Sequence, residues 1–152
     1  MDMRNKHAYL IMAHNNFNQL QTLIQLLDDD RNDIYLHIDK KASPPDCFRT
    51  SHSRLILIDR IRVSWGGYSM IQCELNLLKA AAPGHYQYYH LLSGVDLPLK
   101  SQDEIHRFFD ENNGKEFISF DKVANETRCF YSRVQYWNPF QDYLCVSNRI
   151  LR

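Results

Sequence analysis

Four short stretches of the chain put polar and glycine residues where a ligand can be held. His14 and Asn15 follow the apolar run HAYLIMA, and Asp39 stands two residues after His37 at the end of DIYLHID. Ser64-Trp65-Gly66-Gly67 follows a third apolar run, and Ser93, Gly94 and Asp96 follow a fourth. Residues two apart on a strand point to one side, so His37 and Asp39 suit a metal ion or a nucleotide; a strand-end aspartate equally suits a turn cap. His14 reads as a ligand or as a plain loop residue in an Asn-rich turn. Gly66 either lets a backbone approach a bound molecule or supplies a positive φ. Trp65 either stacks on a planar base or sugar, or fills the core. Asp96, before Leu97-Pro98, can cap a turn.

The elements that must carry these residues follow from periodicity. Residues 7–13, 33–39, 55–58, 86–92 and 116–120 read as five strands, each a short apolar or alternating run bounded by turn residues. Leu20, Leu23, Ile24 and Leu27 recur at helical spacing. Residues from Ser69 to the Pro83-Gly84 stop read as a mostly buried helix. Ser101 with Glu104 three residues on forms a capping box, which predicts a helix from Gln102 to Glu111. Strand and helix alternate, which argues for βαβ units and a largely parallel sheet. In such sheets ligands bind beyond the carboxyl ends of the strands, where the four stretches fall. Asp28-Asp29-Asp30 falls at the other edge and reads as a solvated charge run. After Asp121 the pattern decays into an aromatic-rich stretch, densest from Phe130 to Tyr143.

Composition narrows the class. The 152 residues hold 18 basic and 18 acidic side chains, so the net charge is zero and offers no basic field for nucleic acid. Hydrophobic residues at 44% and charged ones at 24% fit a single globular domain or a piece of a larger one. The cysteines at 47, 73, 129 and 145 form no C-x-x-C pair, and free thiols in a reducing compartment are the expectation. No apolar run reaches the length of a membrane span. The signatures of dinucleotide, P-loop, serine-hydrolase and zincin sites are absent, and no D-x-D pair occurs outside Asp28-Asp29-Asp30. Asn125-Glu126-Thr127 matches a glycosylation sequon, of consequence only in a secreted chain.

Taken in order, HAYLIMAHNN, IYLHIDKKA, VSWGGYSMIQCELNLLKAA and YYHLLSGVDLPLKS resemble the core-2/I-branching β-1,6-N-acetylglucosaminyltransferases, a family that includes peptide xylosyltransferases. The likeness runs over about residues 6–120 and is nearest to compact bacterial members. It implies an α/β fold, GT-A-like (Rossmann-like): a truncated, mostly parallel sheet with flanking helices. Residues 1–120 would be the nucleotide-sugar-binding half, and 121–152 the incomplete, aromatic-rich start of the acceptor side. The family transfers a sugar from a UDP donor with inversion and needs neither a D-x-D motif nor a metal. No cofactor is therefore expected beyond the UDP-sugar substrate, with a glycan acceptor and N-acetylglucosamine as the sugar.

The resemblance assigns Ala13, His14 and Asp39 to the nucleotide pocket, with Asp39 contacting uracil or ribose. Ser64, Trp65 and Gly66 pack beside the nucleoside, and Ser93, Gly94 and Asp96 beside the donor sugar. The carboxylate base and the cations that hold the diphosphate are expected beyond Arg152; Asp121 and Glu126 match neither. A cytoplasmic protein at the inner face of a bacterial membrane, associated peripherally, is the implied location. Two other readings stay open from the residues: a metal-dependent hydrolase or nucleotidyltransferase using His14, His37, Asp39 and Asp96, and a non-catalytic carbohydrate-binding module built on the aromatic stretch.

Overall fold

His7–Ala13 forms β1, the middle of the architecture, and all but one of its seven residues are buried. The computed structural model describes residues 6–118. β1 leads into helix α1 (Phe17–Leu26), strand β2 (Asn32–Ile38) and strand β3 (Arg54–Leu57). Helix α2 (Tyr68–Ala81), a single 3-10 turn (Ala82–Gly84), strand β4 (Tyr88–Ser93) and helix α3 (Gln102–Glu111) complete the described order. The strands pair in the order β3-β2-β1-β4, all parallel. The α/β fold with a parallel sheet and flanking helices, anticipated from the alternation, is the one observed.

Each face of the sheet has its own core. Tyr9, Ile11, Ala13, Ile34, Leu36 and Ile38 pack against Leu20, Leu23, Ile24 and Leu27 of α1 and its last turn. Ala8, Leu10 and Tyr35 pack against Cys73, Leu77 and Ala81 of α2 on the other face. β2 is buried at every position, so its alternation separates two kinds of interior rather than inside from outside. Ile34, Leu36 and Ile38 meet α1, and Asp33, Tyr35 and His37 face the α2 side. Buried polar groups need partners. Tyr86 donates to Asp33 Oδ2 at 2.6 Å, Lys6 Nζ lies 3.1 Å from Asp33 Oδ1, and the Ile61 N–H donates to His37 Nε2.

The chain runs from β1 to β2 to β3 in one direction and then crosses to β4 on the far side of β1. A right-handed crossover in each direction puts α1 and α2 on opposite faces, and the order reverses between β1 and β4. α3 packs on the α1 side, where His106 stacks on His7 with ring centroids 4.1 Å apart.

Several expectations need correction. α2 is not mostly buried: Cys73, Leu77 and Ala81 form a narrow inner stripe, while Ile71, Leu75 and Leu78 are exposed. Asp28-Asp29-Asp30 is not a solvated run. Asp28 accepts the backbone N–H groups of Ser51, His52 and Ser53, and Asp29 holds Arg31 through two side-chain bonds. Only Asp30 of the three is exposed. The strand expected over 116–120 is absent from residues 116–118, which are exposed and unpaired in the sheet; its last two residues lie outside the described residues. So do the aromatic stretch, the sequon, Asp121, Glu126, Cys129 and Cys145. Cys47 is an exposed and Cys73 a buried free thiol. No described helix is long and apolar enough to cross a membrane.

Candidate functional site

The last carbonyls of β1 organise the carboxyl edge of the sheet. Met12 O accepts the Gly94 N–H at 2.8 Å, and Ala13 O accepts the Asp39 N–H at 2.8 Å. Strands that end side by side at a switch point thus bring Ala13, Asp39, Ser93 and Gly94, drawn from three segments, to one edge. Gly94 is a glycine because of space: a Cβ there would stand 2.7 Å from Ala13 Cβ. Its neighbour Asp96 caps its own turn, with Oδ2 accepting the Ser93 N–H at 2.8 Å. Gln19 in the first turn of α1 donates to Val95 O and ties that helix to the same loop. His14 stands exposed between β1 and α1. Asn16 follows at φ 50°, a left-handed step that turns the chain into α1 without a side-chain cap.

Asp39 is 6% exposed. Its Oδ1 accepts the Lys41 N–H at 2.8 Å, an Asx-type turn that carries the chain away from β2. Oδ2 lies 3.4 Å from Lys41 Nζ. The same ammonium donates to Val63 O at 2.6 Å, and Val63 immediately precedes Ser64. The second and third candidate segments are therefore linked through one lysine. Lys40 N–H adds a bond to Ile61 O, and Arg60 spans to the carbonyls of Ile38, Asp39 and Ala42.

The Ser64–Gly67 loop is a tight turn, with the Gly67 N–H donating to Ser64 O and the Ser64 N–H to Ser69 Oγ. Gly66 has φ 72°, a conformation that a side chain would strain. Trp65 is 76% exposed. The structure thus decides one alternative left by the sequence: Trp65 does not fill the core, and its indole faces solvent at the rim.

His37 is placed differently from the ligand reading. It is buried, its Nε2 is used by the Ile61 N–H, and burial holds its pKa below the ordinary value. It serves as a satisfied core histidine under the site. Among the described residues, no three His, Cys, Asp or Glu side chains converge as a metal-binding group.

Two features escaped sequence reasoning. Lys41 and Arg60 read only as charges next to apolar runs, and nothing in their spacing shows that they stitch two loops together. At the opposite edge the buried His7 and His106 and the half-buried His90 form one cluster, with His90 Nε2 3.1 Å from His7 Nδ1 and His106 Nε2 2.9 Å from Asn32 Oδ1. Burial, then the neighbouring histidines, lower the pKa of His7 to about 3 and that of His90 to about 4.

The model of the core-2/I-branching enzyme family matches residues 7–141, most of the chain and all four candidate segments. The chain belongs to this family. Among curated relatives, rat xylosyltransferase 2 is 25% identical over 122 residues, which is 73% of this chain and 14% of the relative. Mouse N-acetyllactosaminide β-1,6-N-acetylglucosaminyl-transferase is 26% identical over 118 residues, 71% of this chain and 29% of the relative. A probable pig β-1,3-galactosyl-O-glycosyl-glycoprotein β-1,6-N-acetylglucosaminyltransferase 7 is 25% identical over 111 residues, 66% of this chain and 25% of that protein. The chain thus spans a seventh to under a third of the relatives it matches. The carboxyl edge, where the order of strands reverses, is where a parallel sheet of this kind holds a ligand.

Proposed function

We propose that this chain provides the donor-nucleotide part of an inverting glycosyltransferase that takes a sugar from a UDP donor, without a metal ion, and passes it to a glycan acceptor. The observation that carries this reading is the junction at the end of β1, where Asp39 and Gly94 hang from adjacent carbonyls within a chain of this family.

Each residue has a role that its chemistry allows. The Asp39 carboxylate accepts a hydrogen bond from uracil N3–H or a ribose hydroxyl. Ala13 and His14 line the same pocket at the end of β1. The loop of Ser64, Trp65 and Gly66 flanks the nucleoside, with the exposed indole offering a stacking face. Ser93, Gly94 and Asp96 border the donor sugar. Inverting transfer also needs a carboxylate to take the proton of the attacking hydroxyl. Cations must stabilise the leaving diphosphate when no metal does so. No described residue is assigned either part.

N-acetylglucosamine is the proposed sugar, and the relatives named for xylosyl transfer make xylose the competitor to test. Titration calorimetry of the chain with UDP, UDP-N-acetylglucosamine and UDP-xylose in EDTA addresses donor and metal together. Binding in EDTA, tightest for UDP-N-acetylglucosamine, is the expected result. A strict requirement for Mn²⁺ would sink the metal-free mechanism, and no binding to any UDP species under either condition would sink the donor reading.

A further inference from the structure

We propose that Arg60 is a positioning residue for the donor nucleotide, holding the turn that aims the Asp39 carboxylate. The inference rests on the donor reading of this edge. Arg60 lies between β3 and the Ser64–Gly67 loop, in a stretch without regular structure. Its guanidinium reaches back to the turn after β2. Nε donates to Ile38 O at 3.1 Å, and Nη2 donates to Asp39 O at 2.8 Å and to Ala42 O at 2.6 Å. Those carbonyls lie on both sides of the Asp39 side chain, so one planar group fixes the turn from its first residue to its last.

A guanidinium suits this task because its donors sit in a rigid fork, whereas an ammonium is a point charge on a flexible stem. Asp39 O already closes the turn by accepting the Ala42 N–H at 2.9 Å, and the guanidinium adds three charge-assisted bonds across that same turn. The turn so fixed presents Asp39 Oδ1 to its own Lys41 N–H and leaves Oδ2 facing Lys41 Nζ. Arg60 also carries, four residues on in its own chain, the Ser64 end of the second loop. The two nucleotide-facing segments therefore keep their separation through this side chain as well as through Lys41.

The alternative role for an arginine at such an edge is direct charge on the diphosphate, and the conservative variant separates the two. Arg60→Lys retains the charge and loses the fork. If Arg60 positions Asp39, R60K weakens UDP affinity about tenfold, as the loss of aligned bonds to a charged donor predicts. Arg60→Ala weakens it at least as much. Asp39→Asn alone also weakens UDP binding, and adding R60K to it causes no further loss, because no carboxylate remains to be aimed. Thermal melting of the ligand-free chains checks the fold, and R60K carries the test if R60A does not fold. R60K binding UDP as tightly as wild type would overturn the inference, as would losses that add in the double variant. Failure of the wild-type chain to bind UDP sinks the donor reading and this inference with it; wild-type binding that R60K leaves intact sinks this inference alone.

Discussion

Gly94→Ala separates a glycine kept for packing from one kept for a ligand. An alanine Cβ at this position stands 2.7 Å from Ala13 Cβ, 3.2 Å from Ala13 Cα and 3.4 Å from Met12 O. Carbon atoms prefer about 3.5–4.0 Å, so close to 1 Å of overlap must be relieved. Ala13 cannot yield easily: it is 5% exposed, paired with Ile38 and bonded through its carbonyl to Asp39. The loop at 94 must move instead, which stretches the 2.8 Å bond from Gly94 N–H to Met12 O. Overpacking of this kind costs about 1–3 kcal/mol. At roughly 2–4 °C per kcal/mol for a chain of this size, the melting temperature should fall by several degrees. Ala13→Gly removes the nearer obstacle at a cost of about 0.5–1 kcal/mol in strand propensity. The double variant should then be more stable than the sum of the two losses, by about 1 kcal/mol. Urea titrations of the four chains measure this cycle. G94A within about 0.5 kcal/mol of wild type, or strictly additive losses, would refute the packing argument. Unchanged stability with lost UDP binding would assign the glycine to the ligand instead.

Three further predictions follow from the interior. The neutral cluster of His7, His90 and His106 has pKa values below the unfolded value, so between pH 6.5 and about 4 the unfolded chain binds protons that the folded chain refuses. Stability should fall with pH across that window, and His90→Phe should lower the slope by roughly 1.4 kcal/mol per pH unit, read from urea midpoints; an unchanged slope counts against the cluster. Asp29 behaves oppositely: Arg31, through its side-chain bonds, holds the carboxyl at about 2, so its contribution is full above the unfolded carboxylate range and lost as pH falls through that value. The stability gap between wild type and Asp29→Asn should be open at pH 6 and closed near pH 2, and a gap independent of pH would show that the ion pair contributes nothing. Leu77→Ala should cost about 2–5 kcal/mol and Leu75→Ala under about 0.5, since only Leu77 is on the inner stripe of α2; equal losses in chemical denaturation would contradict that stripe.

Local signals made some elements readable from sequence and left others dark. HAYLIMA gives β1 its bounds because polar turns flank it, and the Ser101–Glu104 box starts α3 at Gln102, with both reciprocal bonds present. α1 begins at Phe17, three residues before Leu20 and packed against the same core, and the left-handed Asn16 turns the chain into the helix; the apolar pattern read from Leu20 onward left that first residue out. Hydrophobicity along α2 could not tell the inner stripe from Ile71, Leu75 and Leu78, since burial depends on what packs opposite. The candidate segments were legible because a parallel sheet collects its loops at one edge. Their mutual bonds were not: Lys41 to Val63 and Arg60 to Ala42 depend on how loops fold back, and His7 meets His90 across 83 residues.

For Asp39 the sequence offered two roles, turn cap or ligand contact, and the geometry makes them compatible. A carboxylate has about four lone-pair positions. The turn uses one, on Oδ1, for the Lys41 N–H. Oδ2 has Lys41 Nζ at 3.4 Å, beyond a strong charge-assisted bond, while that ammonium is already well held by Val63 O at 2.6 Å. A hydroxyl or N–H arriving at Oδ2 would therefore displace little: the lysine keeps its stronger partner, and the turn keeps its cap. The bond on Oδ1 fixes the direction in which Oδ2 points before any ligand arrives, so less entropy is lost when a donor binds. Capping its own turn is what would make Asp39 a pre-organised acceptor.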